Sequence, residues 1–165
     1  MSSVAVLGAG SWGTTFAKVL ADAGCDVTIW ARRSEVAREI HETRRNSGYL
    51  RSINLPANLD ATDSLEEALE GASQVYVAVP SQQLRDTIAI AAPFMEPDCL
   101  VISLMKGVEA LTGLRMSEVL HQAGGIDPAR IAVLSGPNLA LEIAKEQPTA
   151  AVASSLDKQT ASAVA

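Results

Sequence analysis

The chain alternates short, uniformly apolar runs with segments of helical period. Residues 4–7 show no polar alternation and stop at Gly8, which predicts a buried strand. Residues 12–23 repeat every 3.6 positions, with Phe16, Val19, Leu20 and Ala23 on one side, and Gly24 ends the predicted helix. The alternation continues with strands over 25–30, 74–79, 99–104, 130–134 and 149–153. Helices are predicted over 34–42, 65–69, 81–92, 114–122, 138–145 and from 157 onward. Ser34, Ser81 and either Asp63 or Ser64 stand where N-caps are expected. Residues 44–58, with Gly48, Pro56 and several asparagines, read as loop.

Apolar strands that each lead into a helix predict a sheet covered on both faces. The fold class is therefore α/β, a doubly wound, mainly parallel sheet of the Rossmann type. A length of 165 residues suggests one domain, 1–165. With 13 Lys+Arg against 19 Asp+Glu the net charge is −6, so no basic excess is available to displace counterions from a nucleic acid. Hydrophobic residues make up 48% and charged residues 19%, the balance of a globular chain and not of a disordered one. Cys25 and Cys99 form no CxxC pair and are expected to be reduced, in or near the core. The start of the chain lacks a basic n-region, and no stretch approaches the ~18 apolar residues of a membrane span. A soluble, cytoplasmic protein is the expectation. The last predicted helix reaches the final residue, Ala165, which reads as a fragment or one domain of a longer protein.

In a doubly wound sheet, ligands bind beyond the carboxyl ends of the strands, where the strand order reverses. The first such end is Gly8-Ala9-Gly10-Ser11-Trp12-Gly13, a G-x-G-x-x-G between a strand and a helix. Gly8 allows the tight turn, Gly10 lets a diphosphate approach the backbone, and Gly13 lets the helix lie close to the sheet. The helix start adds free N–H groups and the positive end of its dipole. About 20 residues on, NAD sites usually carry an acidic residue for the ribose 2′-hydroxyl. Here Arg32 and Arg33 stand instead. Guanidiniums suit a 2′-phosphate, so NADP(H) is favoured, with NAD(H) as the alternative. Otherwise the two arginines are solvated, or one stacks on an adenine. At the fourth strand end Lys106 beside Gly107 can enter the cleft and polarise a carbonyl, or can be merely solvated. At the fifth, Gly136 permits close approach, Pro137 suits a first helical turn, and Asn138 either caps the helix or faces a ligand. The third, Val79-Pro80-Ser81, can border the nicotinamide side of the cleft, and Ser81 itself reads as a helix cap and not as a catalytic group. His41 and His121 lack companions for a metal and read as surface residues.

Taken together, these segments resemble the bacterial-type NAD(P)-dependent glycerol-3-phosphate dehydrogenases. The resemblance rests on residues 8–14, residues 27–32, Asn46 with Tyr49-Leu50 and Leu55-Pro56, Val79-Pro80-Ser81, Lys106-Gly107-Val108-Glu109, residues 135–140 with Glu142, and Pro148-Thr149-Ala150. It implies a first domain that binds NAD(P)H and a helical second domain, absent from this chain, that completes the substrate site. The implied reaction is reversible hydride transfer between the nicotinamide and dihydroxyacetone phosphate, giving sn-glycerol 3-phosphate for phospholipid synthesis. Ser11 and Trp12 would contact the cofactor through the glycine loop, Arg32 and Arg33 would hold its adenosine end, and Ala140 would line its site. Lys106 would touch cofactor and substrate, and Gly136 and Asn138 would help hold the substrate. Leu139 stands where the family often has Phe, and Thr15 where Ala is common. The family chain is roughly twice as long, consistent with two domains of ordinary size. The family's general acid/base lysine and its phosphate-gripping groups fall in the missing domain, so this chain is expected to bind cofactor without efficient turnover. A homodimer is compatible with the full-length enzyme. Two other readings are a related 2-hydroxyacid or ketopantoate dehydrogenase, and a non-catalytic NAD(P)H sensor.

Overall fold

The computed structural model describes residues 2–165. Its centre is a seven-stranded sheet in the order β3-β2-β1-β4-β5-β6-β7. The strands are β1 (Ser3–Leu7), β2 (Asp26–Trp30), β3 (Leu59–Thr62), β4 (Gln74–Val77), β5 (Leu100–Ser103), β6 (Ile131–Ser135) and β7 (Val152–Ser155). All neighbours are parallel except β6 and β7, which are antiparallel. The helices are α1 (Ser11–Asp22), α2 (Ser34–Thr43), α3 (Leu65–Leu69), α4 (Leu84–Ala91), α5 (Met116–Gly124), α6 (Ala140–Ala144) and α7 (Lys158–Val164). The strand order reverses between β1 and β4, and this places a crevice at their carboxyl ends.

Alternate residues of each strand serve two separate cores, as a pleat with side-chain period two requires. Ala5, Leu7, Val75, Val77 and Val101 face one layer with Leu84 and Ile88 of α4 and Val119 and Leu120 of α5. Val4, Val6, Ile29, Tyr76 and Ile102 face the other, with Ala17 and Ala21 of α1 and Val36, Ala37 and Ile40 of α2. Leu7, Leu84, Ile88 and Leu120 are fully buried. Each such side chain contributes about 1.5–3 kcal/mol by leaving water.

Several expectations shift in the structure. β3 falls in a stretch with no predicted strand, because Asp60 and Thr62 break its apolar pattern; backbone pairing to β2 makes it a strand regardless. β7 begins three residues and ends two residues later than the expected 149–153, and it runs antiparallel. β4 ends at Val77, not at residue 79. On α1 the buried positions include Gly13, Thr14, Ala17 and Ala21, while Val19 is exposed. The helix lies so close to the sheet that only small residues fit beneath it; Phe16 packs at its flank, 5.1 Å from the Tyr76 ring. Ser34 is the first residue of α2 and makes no capping bond, because Arg33 occupies the cap position. Ser81 opens a short 3-10 turn, Ser81–Gln83, again without a capping bond. Pro137 and Asn138 precede α6, whose N-cap is Leu139. Ser64 does cap α3, accepting from the Glu67 N–H, and Asp157 caps α7 by accepting from that of Thr160.

Cys99 is buried, which raises its thiol pKa, and Cys25 is half-buried; both are free. His41 is exposed with Nδ1 2.7 Å from Asp60 Oδ1, and His121 Nδ1 lies 2.8 Å from the Ile126 carbonyl. Among the described residues no helix is long and apolar enough to cross a membrane, and no three His, Cys, Asp or Glu side chains gather in a metal-holding group.

Candidate functional site

The crevice at the β1/β4 reversal opens as a cleft of about 610 Å³. Its floor is the turn from β1 into α1. Gly8 has φ +116°, and a Cβ there would lie 2.7 Å from the Ala78 carbonyl oxygen, so the turn demands glycine. Gly13 lies in the first turn of α1 on its buried side, where a Cβ would come within 1.8 Å of the Gly8 carbonyl oxygen. At Gly10 a Cβ would meet nothing within 4 Å, so the missing methyl leaves room on the cleft side. Gly10 is extended and forms the N-cap of α1. No side chain caps this end, and the first turn carries no acidic residue. Its N–H groups and positive dipole end thus remain available to an anion.

Trp12 leaves this turn and donates its indole N–H to the Leu104 carbonyl at 3.2 Å, tying the turn to the end of β5. The β2 end brings Arg32 and Arg33 into the cleft wall. Arg32 donates to Gln83 Oε1 at 3.1 Å. Arg33 lies 3.9 Å from Glu35, and both side chains are over half exposed, so this pair is worth little. The β5 end supplies Lys106, whose ammonium donates to the Gly136 carbonyl at 2.8 Å. Among the described residues three cations therefore line the cleft, and no Asp or Glu does. In a chain of net charge −6 this is a local inversion of sign that favours a polyanion.

The loop carrying Lys106 is held from behind. Gln82 donates to the Val108 carbonyl at 3.0 Å and accepts from the Ala110 N–H at 2.9 Å. Glu109 accepts from Arg85 through both oxygens, at 2.8 and 2.9 Å, and from the Thr112 hydroxyl. These bonds hold the Glu109 carboxyl down at about 2, the Arg85 guanidinium being the larger cause and the Thr112 hydroxyl the next.

Of the residues picked out in the sequence, Gly8, Gly10, Ser11, Trp12, Arg32, Arg33, Lys106 and Asn138 line this cleft. Gly13 lies beneath it. Gly136 sits behind Lys106 with its own backbone packed against another, since a Cβ would lie 2.3 Å from the Ala150 oxygen. Ala140 is outside the lining, and its carbonyl accepts from the Thr15 hydroxyl at 3.2 Å. Asn138 caps no helix; its Oδ1 accepts from Thr149 at 3.0 Å. Val79, Pro80 and Ser81 border the cleft as expected of the third strand end, while Ser81 makes no capping bond. Val36, Tyr49, Gln83 and Thr87 also line it; of these only Tyr49 stood out in the sequence, as part of the family resemblance and without a role at the site. They come from helices and from the loop after α2, away from the strand ends, so the strand-end rule has no access to them.

The glycine turn at a topological switch point, an uncapped helix end and a cationic cleft define an α/β domain of the Rossmann type. Residues 3–161 match the family described as NAD-dependent glycerol-3-phosphate dehydrogenase N-terminus. The glycerol-3-phosphate dehydrogenase [NAD(P)+] of Leifsonia xyli is 64% identical over 160 residues, covering 97% of this chain and 43% of that protein. The one from Corynebacterium diphtheriae is 54% identical, covering 96% and 48%. The crystal structure of glycerol-3-phosphate dehydrogenase from Coxiella burnetii superposes with a TM-score of 0.91 at 32% identity, covering 99% of this chain and 49% of that one. The chain belongs to the NAD-dependent glycerol-3-phosphate dehydrogenase N-terminal family, and it spans about half the length of the curated relatives it matches. The similarity favours that family over the 2-hydroxyacid and ketopantoate enzymes.

Proposed function

We propose that this chain is the NADP(H)-binding domain, 1–165, of an enzyme interconverting dihydroxyacetone phosphate and sn-glycerol 3-phosphate. The observation that carries the reading is the cleft over Gly10, in which the open helix end and three cations face the space a nicotinamide dinucleotide would fill. The residues fit such a group. The diphosphate would lie on the α1 N–H groups beside Gly10 and Ser11, and Trp12 would border it. Arg32 and Arg33 would hold the adenosine side, where two guanidiniums and no carboxylate suit a 2′-phosphate. When bound, the nicotinamide supplies or accepts the hydride.

Lys106 supplies the electrostatics. One of its three N–H donors is engaged by the Gly136 carbonyl, which fixes the ammonium at the cleft edge. The remaining donors can polarise a substrate carbonyl and stabilise the alkoxide that develops. Gly136 and Asn138 would border the substrate on the same side. Among the described residues the lining offers no His, Asp, Glu or Cys to move the proton, and its Lys106 is committed to the alkoxide. That group, together with those that grip the substrate phosphate, would belong to the other half of the enzyme.

The direct test is the pair of dissociation constants for NADPH and NADH on this chain. NADPH should bind more tightly, and a clear NADH preference would overturn the assignment of Arg32 and Arg33. Mixing the chain with NADPH and dihydroxyacetone phosphate should give oxidation near the blank rate. Robust turnover would show that the proton donor lies within these residues.

A further inference from the structure

The loop between α2 and β3 carries a buried amide that touches the glycine turn from behind. α2 ends at Thr43, and its C-cap, Arg44, has a left-handed φ of +54° that turns the chain sharply and sends Asn46 inward. Asn46 is 1% exposed. Its Nδ2 donates to the Ala9 carbonyl at 3.0 Å and to Thr14 Oγ1 at 2.8 Å. A carbonyl cannot donate, so the amide nitrogen has to face Ala9. Ala9 lies in the turn and Thr14 in the first turn of α1, so the one side chain spans the junction at Gly10. Asn46 is itself anchored, because its carbonyl accepts from the Tyr49 and Leu50 N–H groups at 3.1 and 2.8 Å. Its Oδ1, by contrast, is buried without a partner. A residue that served only to fill this space would be apolar and would leave no such atom unpaired. The amide is accounted for by what its nitrogen holds.

We propose that Asn46 is a positioning residue for cofactor binding. It fixes the Ala9 peptide and the start of α1 in the orientation that aims the Gly10 and Ser11 N–H groups at a diphosphate, without itself reaching the cleft. This rests on the functional reading above, since it supposes that the turn takes a dinucleotide diphosphate. An N–H array aimed by a single buried donor loses affinity when that donor is removed, because the ligand must then order the turn itself. The adenosine side, held by Arg32 and Arg33, does not pass through Asn46.

The experiment compares NADPH with 2′-AMP, a probe that carries the adenosine 2′-phosphate and no diphosphate, on wild-type chain and on Asn46→Ala. NADPH affinity should fall by about tenfold, while 2′-AMP affinity should stay within about twofold of wild type. Asn46→Leu refills the volume without the donor and should behave the same, which keeps the test open should the alanine variant fail to fold. Unchanged NADPH binding in a folded variant overturns the proposal. So does a parallel loss for both probes, which is what general loosening of the fold would give. Wild-type chain that binds no NADPH would overturn the functional reading itself.

Discussion

Gly10 and Gly13 stand three residues apart in one turn, yet the structure gives their alanine variants opposite signatures. In Gly13→Ala the new methyl would start 1.8 Å from the Gly8 carbonyl oxygen, and Cβ atoms essentially never come within 3.0 Å of such a group, so helix and turn must part by about 1.2 Å. Both sides of that contact are backbone, and neither can rotate away. Overpacking costs about 1–3 kcal/mol, and a clash with rigid backbone belongs at the upper end. Alanine's better helix propensity offsets about 1 kcal/mol. A net loss of about 2 kcal/mol remains, or roughly 1 M in the urea midpoint for an m-value near 2 kcal/mol/M. In Gly10→Ala the methyl meets no protein atom within 4 Å. The weaker N-cap and the stiffer unfolded chain roughly cancel, leaving stability within about 0.5 kcal/mol of wild type. The methyl does occupy the diphosphate's approach, so NADPH affinity should fall at least about tenfold. Urea melts and NADPH titrations on both variants decide the matter. A Gly13→Ala midpoint equal to wild type, or wild-type NADPH binding by Gly10→Ala, would refute the reasoning.

The charges of the site lead to two further outcomes. Replacing Arg32 and Arg33 together with Ala should weaken NADPH by about tenfold or more and NADH much less, as measured by fluorescence titration; an equal loss for both would mean that no 2′-phosphate is held there. The Glu109 carboxyl is held at about 2 against an ordinary 4.5, so its folded-state pKa lies below the unfolded one. Its contribution to stability is complete above about 4.5 and drains away as pH falls toward 2. Glu109→Gln should therefore flatten the fall in urea midpoint across that window and leave the midpoint less dependent on acid than in wild type.

The α/β class and the location of the site were legible because both depend on local, repeating signals. Uniformly apolar strands announce a sheet buried on both faces, and glycines at 8, 10 and 13 announce a tight, anion-accepting turn after β1. Gly8 and Gly13 each answer a steric demand of the fold, whereas a Cβ at Gly10 would meet no protein atom within 4 Å. What escaped was set by tertiary context. β3, with Asp60 and Thr62, is a strand because β2 offers it partners and not because its own residues ask for it. The apolar side of α1 misleads, because close approach to the sheet selects Gly13, Ala17 and Ala21 and leaves Val19 outside. The hydroxyls of Ser34 and Ser81 have the right chemistry for capping, but each residue opens its helical segment instead of standing just before it. Tyr49 and Asn46 lie in a loop with no periodicity; the family resemblance includes both, but only the folded chain shows that Tyr49 lines the cleft and that Asn46 bonds the Ala9 carbonyl behind it.

The central claim is that a dinucleotide's diphosphate rests on the main chain where β1 passes into α1. Amide chemical shifts, tracked as NADPH is titrated into isotopically labelled chain, test it most directly. The largest saturable changes should fall on Gly10, Ser11 and Trp12, with smaller ones at Arg32, Arg33 and Lys106. Changes centred instead on a separate cavity, lined by Arg115, Ser117 and His121 among others, or no saturable change at the glycine turn, would contradict it.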